Sequence, residues 1–252
     1  MSVWIGTSGW QYRHWKPGFY AGVPSSRWLD HYTSHFDTVE LNGSFYRLPS
    51  RERFEAWAEA LPDGFVMAVK MSRYLTHVRR LREPAEPVER FVSVARGLGS
   101  HLGPVLLQLP PNLPLDLGAL DETLGHVPED VRVAVEPRHR SWWVPELCDV
   151  LRSHNAALVE ADRAGPLGPD WVTTPWRYVR FHAGRAHPQP CYGRAALDHW
   201  ARRLAGATEA YVYFNNDTRG CALRDARHFA LAAARHGLEP TRVAPASLTP
   251  VG

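Results

Sequence analysis

The sequence predicts an α/β protein with the architecture of a TIM-type (β/α)8 barrel, in which the strands are parallel and the connection between strands six and seven is irregular. Eight short apolar, strand-like runs recur along the chain, and stretches with helical periodicity separate most of them. Because a parallel connection must cross back over the sheet, usually through a helix, this alternation favours parallel β-α units. An open doubly wound sheet is the alternative architecture.

The strand-like runs cover residues 3–7, 38–42, 65–71, 104–109, 131–136, 156–160, 178–182 and 209–215. Helical periodicity predicts helices at residues 27–35, 51–60, 88–98, 115–125, 144–154, 194–204 and 222–236. The link from Arg163 to Arg177 has no helical period, so we expect it to be irregular. It contains Gly165, Pro166, Gly168, Pro169 and Pro175. The first strand leads into a Gly6–Trp10 turn without the G-x-G-x-x-G fingerprint of dinucleotide-binding sheets, which favours the barrel.

The bulk composition indicates one domain and excludes little else. A chain of 252 residues, 44% of them hydrophobic, suits one barrel, and its 21 prolines are not gathered into a linker. We therefore expect a single domain over residues 1–252. The net charge of +3 lies well below that of a dedicated nucleic-acid binder. Among the 29 basic residues only Lys16 and Lys70 are lysines, so each is a candidate for a special role.

The cysteines and the apolar runs bear on the location of the protein. Cys148, Cys191 and Cys221 are widely spaced and form no C-x-x-C pair, so we expect neither a disulfide framework nor a cysteine-rich zinc site. This usage fits a reducing cytoplasm. No apolar run of about 18 residues occurs, and the N-terminus lacks a basic segment followed by a long apolar stretch. We expect a cytoplasmic protein with no membrane partner; the oligomeric state is not predictable from these features.

Polar side chains occupy alternate positions near the ends of several predicted strands. Because the carboxyl ends of barrel strands form the active-site face, we expect these side chains to meet at one mouth. The candidate catalytic residues are Glu40, Lys70, Glu136 and His182. The candidate substrate-binding residues are Ser8, Trp10, Asn42, Tyr46, His77, Gln108, Arg138, His139, Arg180, Asn215 and Asn216.

These residue types are suited to acid–base chemistry on a polar or anionic compound. Two carboxylates, Glu40 and Glu136, can serve as general acid and base when their environments separate their pKa values. Lys70 and Arg180 can bind a negatively charged group, and His182 can carry a proton. The structural alternative is that the carboxylates only neutralise Lys70 and Arg180 inside the barrel.

No cofactor is predicted, and a divalent metal is an open alternative. Oxygen and nitrogen ligands are available from Glu40, Glu136, His139, Glu160, Asp162 and His182. A period of two puts Leu158, Glu160 and Asp162 on one inward face of the sixth strand. However, the chain has no H-E-x-x-H motif, and Lys70 and Arg180 would repel a cation, so we assign no metal ligand.

Several sequence blocks together resemble the domain-of-unknown-function-72 family, also called YecE-like. The blocks are GTSGW at 6–10, VELNGSFYR at 39–47, VK at 69–70, TH at 76–77, QLPP at 108–111, VEPRH at 135–139, SW at 141–142, YVRFH at 178–182 and YVYFNND at 211–217. The resemblance implies a TIM-type barrel, which has been likened to that of endonuclease IV, but it supplies no reaction. Pro137 and Ala183 depart from the family pattern beside the presumed mouth.

Three functions are open at this point. The first is an enzyme with hydrolase-, isomerase- or lyase-like acid–base chemistry on a small polar, anionic or sugar-like substrate. The second is a nucleic-acid-binding or nucleic-acid-processing barrel similar to endonuclease IV, which the abundance of arginine and aromatic residues suggests. The third is a non-catalytic binding scaffold, which would have an exposed apolar patch instead of an ionic mouth.

Overall fold

The computed structural model describes residues 1–163 and 168–248. In this part the strands are β1 Ser2–Thr7, β2 Thr38–Leu41, β3 Val66–Lys70, β4 Leu102–Gln108, β5 Val133–Glu136, β6 Ala157–Leu158, β7 Glu160–Asp162, β8 Trp176–Phe181, β9 Glu209–Phe214 and β10 Glu239–Pro240. The α-helices are α1 Trp28–Thr33, α2 Gly43–Tyr46, α3 Arg51–Ala60, α4 Ala85–Ala95, α5 Leu117–Gly125, α6 Pro145–Ser153, α7 Arg194–Arg203 and α8 Cys221–Arg235. A π-helical turn covers Tyr74–Arg79.

The strands form two parallel five-stranded sheets, ordered β10-β1-β9-β8-β7 and β2-β3-β4-β5-β6. Only Val159 separates β6 from β7, so the chain itself joins the sheets on one side. On the other side β1 and β2 approach closely, because a Cβ on Gly6 would lie 2.4 Å from the Thr38 carbonyl oxygen. The Tyr32 hydroxyl bridges them, accepting from Thr7 N at 3.1 Å and donating to Thr38 O at 3.1 Å. This is the TIM-like α/β arrangement that the sequence predicts.

Apolar side chains fill the barrel interior below the strand ends. The β2-β3-β4-β5-β6 sheet supplies small residues, Ala68, Ala134 and Ala157, together with Leu106. The other sheet supplies large rings, Tyr178, Trp176, Tyr211 and Tyr213. Small and large side chains on facing strands fill the interior without a pore, as in other barrels. The polar residues at the strand ends therefore form a layer above a packed core.

The helices cover the outside of the barrel through their apolar faces. In α4, for example, Val88, Phe91, Val92 and Ala95 follow the i, i+3, i+4, i+7 spacing and all are buried. The predicted helices are confirmed, with ends that differ by a few residues. Residues 164–167 of the predicted irregular link lie outside the described residues, and residues 168–175 contain neither helix nor strand. The last two residues of the predicted link, Trp176 and Arg177, already belong to β8.

The prediction that Leu158, Glu160 and Asp162 form the inward face of the sixth strand is wrong. Ala157 and Val159 belong to the interior apolar cluster, whereas Leu158 packs on the helix side. Glu160 also points outward and binds Arg177 and Arg203, the latter on α7. Because this run is apolar at nearly every position, a period of two carries no contrast that would identify its inner face.

The expectation of no disulfide is also wrong, since Cys191 and Cys221 form one with an S–S distance of 2.03 Å. The two cysteines are 30 residues apart, but the loop after β8 packs against the start of α8. Asn216 helps to hold this contact by donating to Pro190 O and to Asp225 Oδ2. Tertiary packing, rather than sequence spacing, brings the thiols together. No helix among the described residues is long and apolar enough to cross a membrane.

Candidate functional site

Arg180, at the end of β8, is the centre of the polar layer and is only 1% exposed. Its Nε and Nη2 donate to Oε2 and Oε1 of Glu40, each at 2.9 Å. Its Nη1 donates to Glu136 Oε2 at 2.5 Å. We call Glu40, Glu136 and Arg180 the ion cluster. Since a planar guanidinium binds a carboxylate through two parallel hydrogen bonds, this geometry fixes all three side chains.

Glu40, on β2, has its oxygens saturated by donors. Besides Arg180, Ser8 Oγ donates to Oε1 at 2.7 Å and Asn42 Nδ2 donates to the same oxygen at 3.0 Å. Tyr178 OH donates to Oε2 at 2.8 Å. Burial raises the pKa of Glu40, but the charge of Arg180 and these hydrogen bonds outweigh burial and leave the pKa below its ordinary value. Glu40 is therefore a buried carboxylate whose negative charge is satisfied entirely by protein donors.

Glu136, on β5, resembles Glu40 in burial but has a partner nearer to solvent. Arg138 Nε donates to its Oε1 at 2.9 Å, and His182 Nε2 lies 3.8 Å from the same oxygen. Burial raises the pKa of Glu136, while Arg180, Arg138 and His182 lower it more strongly, so the pKa lies well below its ordinary value. Both carboxylates of the ion cluster are ionised at neutral pH.

Lys70, at the end of β3, is buried without a carboxylate partner. Its Nζ donates to the neutral Gln108 Oε1 at 2.9 Å and lies 4.2 Å from the centre of the Phe45 ring. Among the described residues no carboxylate oxygen is within 4.0 Å of this amine. Burial and then the charge of Arg180 lower the pKa of Lys70 to about 8. The amine therefore populates both protonation states near physiological pH.

His182, two residues after Arg180, is neutral at physiological pH. Burial, and next the charge of Arg180, lower the pKa of His182 to about 4. Its Nδ1 lies 3.1 Å from Asn215 Nδ2, and its Nε2 lies 3.5 Å from Arg180 Nη1. The ring is thus placed between the ion cluster and the outer mouth.

A cavity of about 480 Å³ opens beside these groups at the barrel mouth. Its lining consists of Ser8, Tyr12, Asn42, Phe45, Tyr46, Lys70, Arg73, His77, Gln108, Arg138, Arg180 and Asn215. Four of these side chains are cationic, and no aspartate or glutamate from the described residues is among them. We call this the cationic cavity. Its charge favours an anionic ligand.

Most of the predicted site residues meet in or directly behind this cavity. Two of them lie at its rim: Tyr46 is 75% exposed, and His77 packs edge-on against Phe45 with ring centres 4.8 Å apart. Burial, then Lys70 and two arginines, lower the pKa of His77. Trp10 is buried and lines a neighbouring cavity instead.

Two predicted substrate-binding residues lie apart from the cavity lining. His139 Nδ1 is 2.8 Å from Ser141 Oγ and stabilises the turn after β5. Asn216 is buried and connects the loop after β9 with Pro190 and Asp225. Each of the two side chains makes its hydrogen bonds with neighbouring loop groups, and neither belongs to the lining of the cationic cavity.

The candidate metal ligands do not form a metal site. The oxygens of Glu40 and Glu136 are occupied by guanidinium groups, and Glu160 lies on the outer face of the barrel. Within residues 1–163 and 168–248, no three histidine, cysteine, aspartate or glutamate side chains are grouped so that they could hold an ion. The donor set at the mouth does not fit a divalent cation.

Some residues of the site were not proposed from the sequence. Tyr178 lies two residues before Arg180 on the same inward face, so the alternation of β8 contains a signal for it. Phe45, in the short helix α2, and Arg73, just before the π-helical turn, follow the ends of β2 and β3 by a few residues and reach the cavity. No periodicity fixes side-chain direction there, so only the fold brings them to the site.

Comparisons with known proteins agree with the barrel and its sequence blocks. The model of the family described as "Protein of unknown function DUF72" matches residues 4–248. The chain belongs to this family. A DUF72 family protein from Thermotoga maritima MSB8 is 28% identical, with a TM-score of 0.79 over 92% of this chain and 98% of that one. One from Enterococcus faecalis V583 is 19% identical, with a TM-score of 0.76 over 92% of this chain and 95% of that one, and it shows the shared fold.

Two curated relatives carry family names only. "UPF0759 protein YunF" of Bacillus subtilis (strain 168) is 27% identical across 87% of this chain and 90% of the relative. "UPF0759 protein YecE" of Escherichia coli (strain K12) is 31% identical over 138 residues, which is 54% of this chain and 48% of that relative. The match thus spans about half the length of the E. coli protein. The DUF72 assignment establishes the family and its fold, while the reaction must be argued from the site.

Proposed function

We propose that this DUF72 protein is an enzyme that binds a small anionic compound in the cationic cavity and performs acid–base chemistry on it. The observation that carries the proposal is Lys70, a buried amine at the end of a barrel strand that donates to a neutral amide and has no carboxylate oxygen of the described residues within 4.0 Å. A buried charge without a counterion destabilises a protein, so its presence at a cavity points to a ligand that supplies the missing negative charge.

In this proposal Lys70 and His182 are the proton carriers. An amine with a pKa of about 8 is near the optimum for proton transfer at physiological pH, because both of its forms are populated. The protonated form attracts the anionic group, and the neutral form can accept a proton from the substrate. His182 is neutral and partly exposed at the mouth. With a pKa of about 4 it is a weak base in the free protein, so it takes up a second proton only when a bound anion raises that pKa.

Glu40 and Glu136 receive a different role from the one that the sequence suggests. Their pKa values are lowered and their oxygens are occupied by donors, so proton transfer at neutral pH would require breaking strong hydrogen bonds. We assign them a positioning role. They hold Arg180 rigidly, and Arg180 in turn keeps Lys70 and His182 from becoming fully protonated.

Calorimetric titration and thermal shift with a panel of small ligands test this function. The panel pairs inorganic phosphate, sugar phosphates and hydroxy acids with the matching neutral sugars and alcohols. We expect anionic members to raise the unfolding temperature, since a ligand at about 100 times its Kd stabilises by about 2.7 kcal/mol. The effect should vanish in Lys70→Met and persist in the matched control Lys16→Met. Equal shifts from neutral compounds, or in Lys70→Met, would contradict the proposal.

A second candidate function is the binding or processing of single-stranded nucleic acid. It is favoured by two exposed tyrosines of the mouth region, Tyr46 and Tyr74, and by Arg73, which joins Tyr46 in the cavity lining. Aromatic rings next to cations suit the stacking of bases along a phosphate backbone. This function requires affinity for an oligonucleotide that falls steeply with salt concentration. An affinity that is flat across salt excludes it, and ligand binding without turnover indicates a scaffold.

The cellular compartment of the protein is also a proposal. We propose a cytoplasmic protein, as the sequence predicts, in which the Cys191–Cys221 pair is shielded by complete burial of both residues. Disulfides are rare in that compartment, so this point needs a direct test. Alkylation of intact cells before lysis, followed by fractionation and mass spectrometry, reports the compartment and the state of both thiols together. A periplasmic or secreted pool would refute it.

A further inference from the structure

A second cavity of about 770 Å³ adjoins the cationic cavity, and the two share Ser8, Tyr12 and Asn42 in their walls. Its walls come from the loop after β1, the α2 region, α3 and α4. Apolar groups dominate the lining, among them Trp10, Leu48 and Trp57. We call it the aromatic cavity. The two cavities therefore adjoin at Ser8, Tyr12 and Asn42.

The aromatic cavity combines a ring surface with positive charge. Trp10 and Trp57 meet edge to face with ring centres 5.9 Å apart, and the Arg53 guanidinium lies 5.1 Å from the Trp57 ring centre. Arg47 and Arg90 complete the basic part of the lining, and no described carboxylate belongs to it. Flat rings next to guanidinium groups favour a planar ligand that carries negative charge.

Asn42 connects the two cavities. Its Nδ2 donates to Ser8 O at 3.3 Å and to Glu40 Oε1 at 3.0 Å, so its orientation is fixed by the ion cluster. Its Oδ1 is buried and has no hydrogen-bond partner among the described residues. A buried acceptor without a donor costs free energy, so the polar junction between the two cavities is not fully satisfied by the protein itself.

We infer that the two cavities together bind one elongated ligand: a small organic dianion with a planar, apolar middle. One anionic end lies at Lys70 in the cationic cavity, the planar part lies against the Trp57 side of the aromatic cavity, and the second negative group meets Arg47, Arg53 and Arg90. The inference rests on the proposed function for the first anionic end and adds the chemical class of the rest of the substrate.

A series of three phosphate monoesters tests the inference by calorimetric titration. Methyl phosphate probes the cationic cavity alone, phenyl phosphate adds a ring, and 4-carboxyphenyl phosphate adds a second negative charge. We expect phenyl phosphate to bind about tenfold more tightly than methyl phosphate, the size of one aromatic contact. The carboxylated ester should gain about threefold more, because the second charge is partly screened by solvent.

Three variants assign these gains to residues. Trp57→Leu should abolish the tenfold gain of the ring and leave methyl phosphate affinity unchanged. Arg90→Gln, an exposed position on α4, should remove only the gain from the carboxylate, and it tests the idea even if Trp57→Leu fails to fold. Arg202→Gln, exposed on α7 and outside both cavities, is the matched charge control and should change none of the affinities.

The outcomes separate this inference from the proposed function. If all three esters bind equally and Lys70→Met loses all of this binding, the inference of an elongated ligand is wrong, but the anion site at Lys70 is supported. Binding of none would overturn the proposed function and this inference with it. The graded series, with its gains lost in the assigned variants, supports both.

Discussion

The ion cluster and the Lys70 side of the cationic cavity lie side by side at one barrel mouth, but their charges are balanced in different ways. Arg180 contacts two carboxylates through hydrogen bonds of 2.5 to 2.9 Å. Lys70, also buried, contacts a neutral amide and an aromatic ring. A buried charge that is paired directly with carboxylates is stabilised within the protein. A buried charge with only neutral contacts destabilises the folded state unless a ligand supplies an opposite charge. The comparison indicates that Arg180 holds the site in place, whereas Lys70 is the group available to bind a ligand.

The largest effect should follow from breaking the ion cluster. Arg180→Met leaves Glu40 and Glu136 buried without their shared cation, so we expect a loss of about 3–5 kcal/mol in the free energy of unfolding. Urea denaturation monitored by tryptophan fluorescence measures it, with Arg202→Met on the surface of α7 as the control. A loss below about 1 kcal/mol would mean that the cluster is not the organising element.

Lys70→Met should have the opposite sign. The folded state lowers the pKa of Lys70 from 10.5 to about 8, so folding disfavours the charged amine, and removing it should stabilise the protein by about 3 kcal/mol. The same variant should lose anion binding. In the wild type the unfolded state binds more protons between pH 8 and 10.5, so stability should rise with pH there, and the rise should be absent in the variant. Destabilisation by Lys70→Met would contradict this account.

His182 should give a smaller, acid-side effect. Its pKa is lowered from 6.5 to about 4 in the folded state, so the unfolded state binds more protons between these pH values. Stability should therefore fall by about 2–3 kcal/mol, from this group alone, as the pH drops through that window. Chemical denaturation of wild type and His182→Gln at pH 4 and pH 7 isolates the contribution. Parallel pH profiles for the two proteins would show that His182 is not held neutral by the fold.

The smallest effect is expected at the rim. Tyr46 is exposed and has few partners, so Tyr46→Ala should change the free energy of unfolding by less than about 0.5 kcal/mol. If the second candidate function holds, the same variant should weaken oligonucleotide binding severalfold at low salt. A stability loss of more than about 1 kcal/mol would mean that the rim, like the ion cluster, is part of the fold's support.

The sequence predicts the members of the site better than their partnerships. Glu40, Lys70 and Arg180 follow from the alternation of strands whose other positions show which face is inward. The prediction that Glu160 points inward is wrong, because the run of residues before it is apolar on both faces and so does not show which face is inward. That Arg180, and not Lys70, takes both carboxylates depends on distances across the barrel, which no spacing along the chain contains. The disulfide and the cavity residues Phe45 and Arg73 also depend on contacts between parts of the chain that are distant in sequence.

The protonation of Lys70 is the most direct test, because the chain has only two lysines. Selective 13C labelling of lysine gives two side-chain signals, and Lys16→Arg assigns them. We predict that Lys70 titrates with a pKa of about 8 in the free protein and that bound phosphate raises this pKa. If Lys70 instead titrates near 10.5 and its pKa does not change with phosphate, the amine is not desolvated and does not bind an anion. That result would contradict the proposal that Lys70 is the anion-binding group of the site.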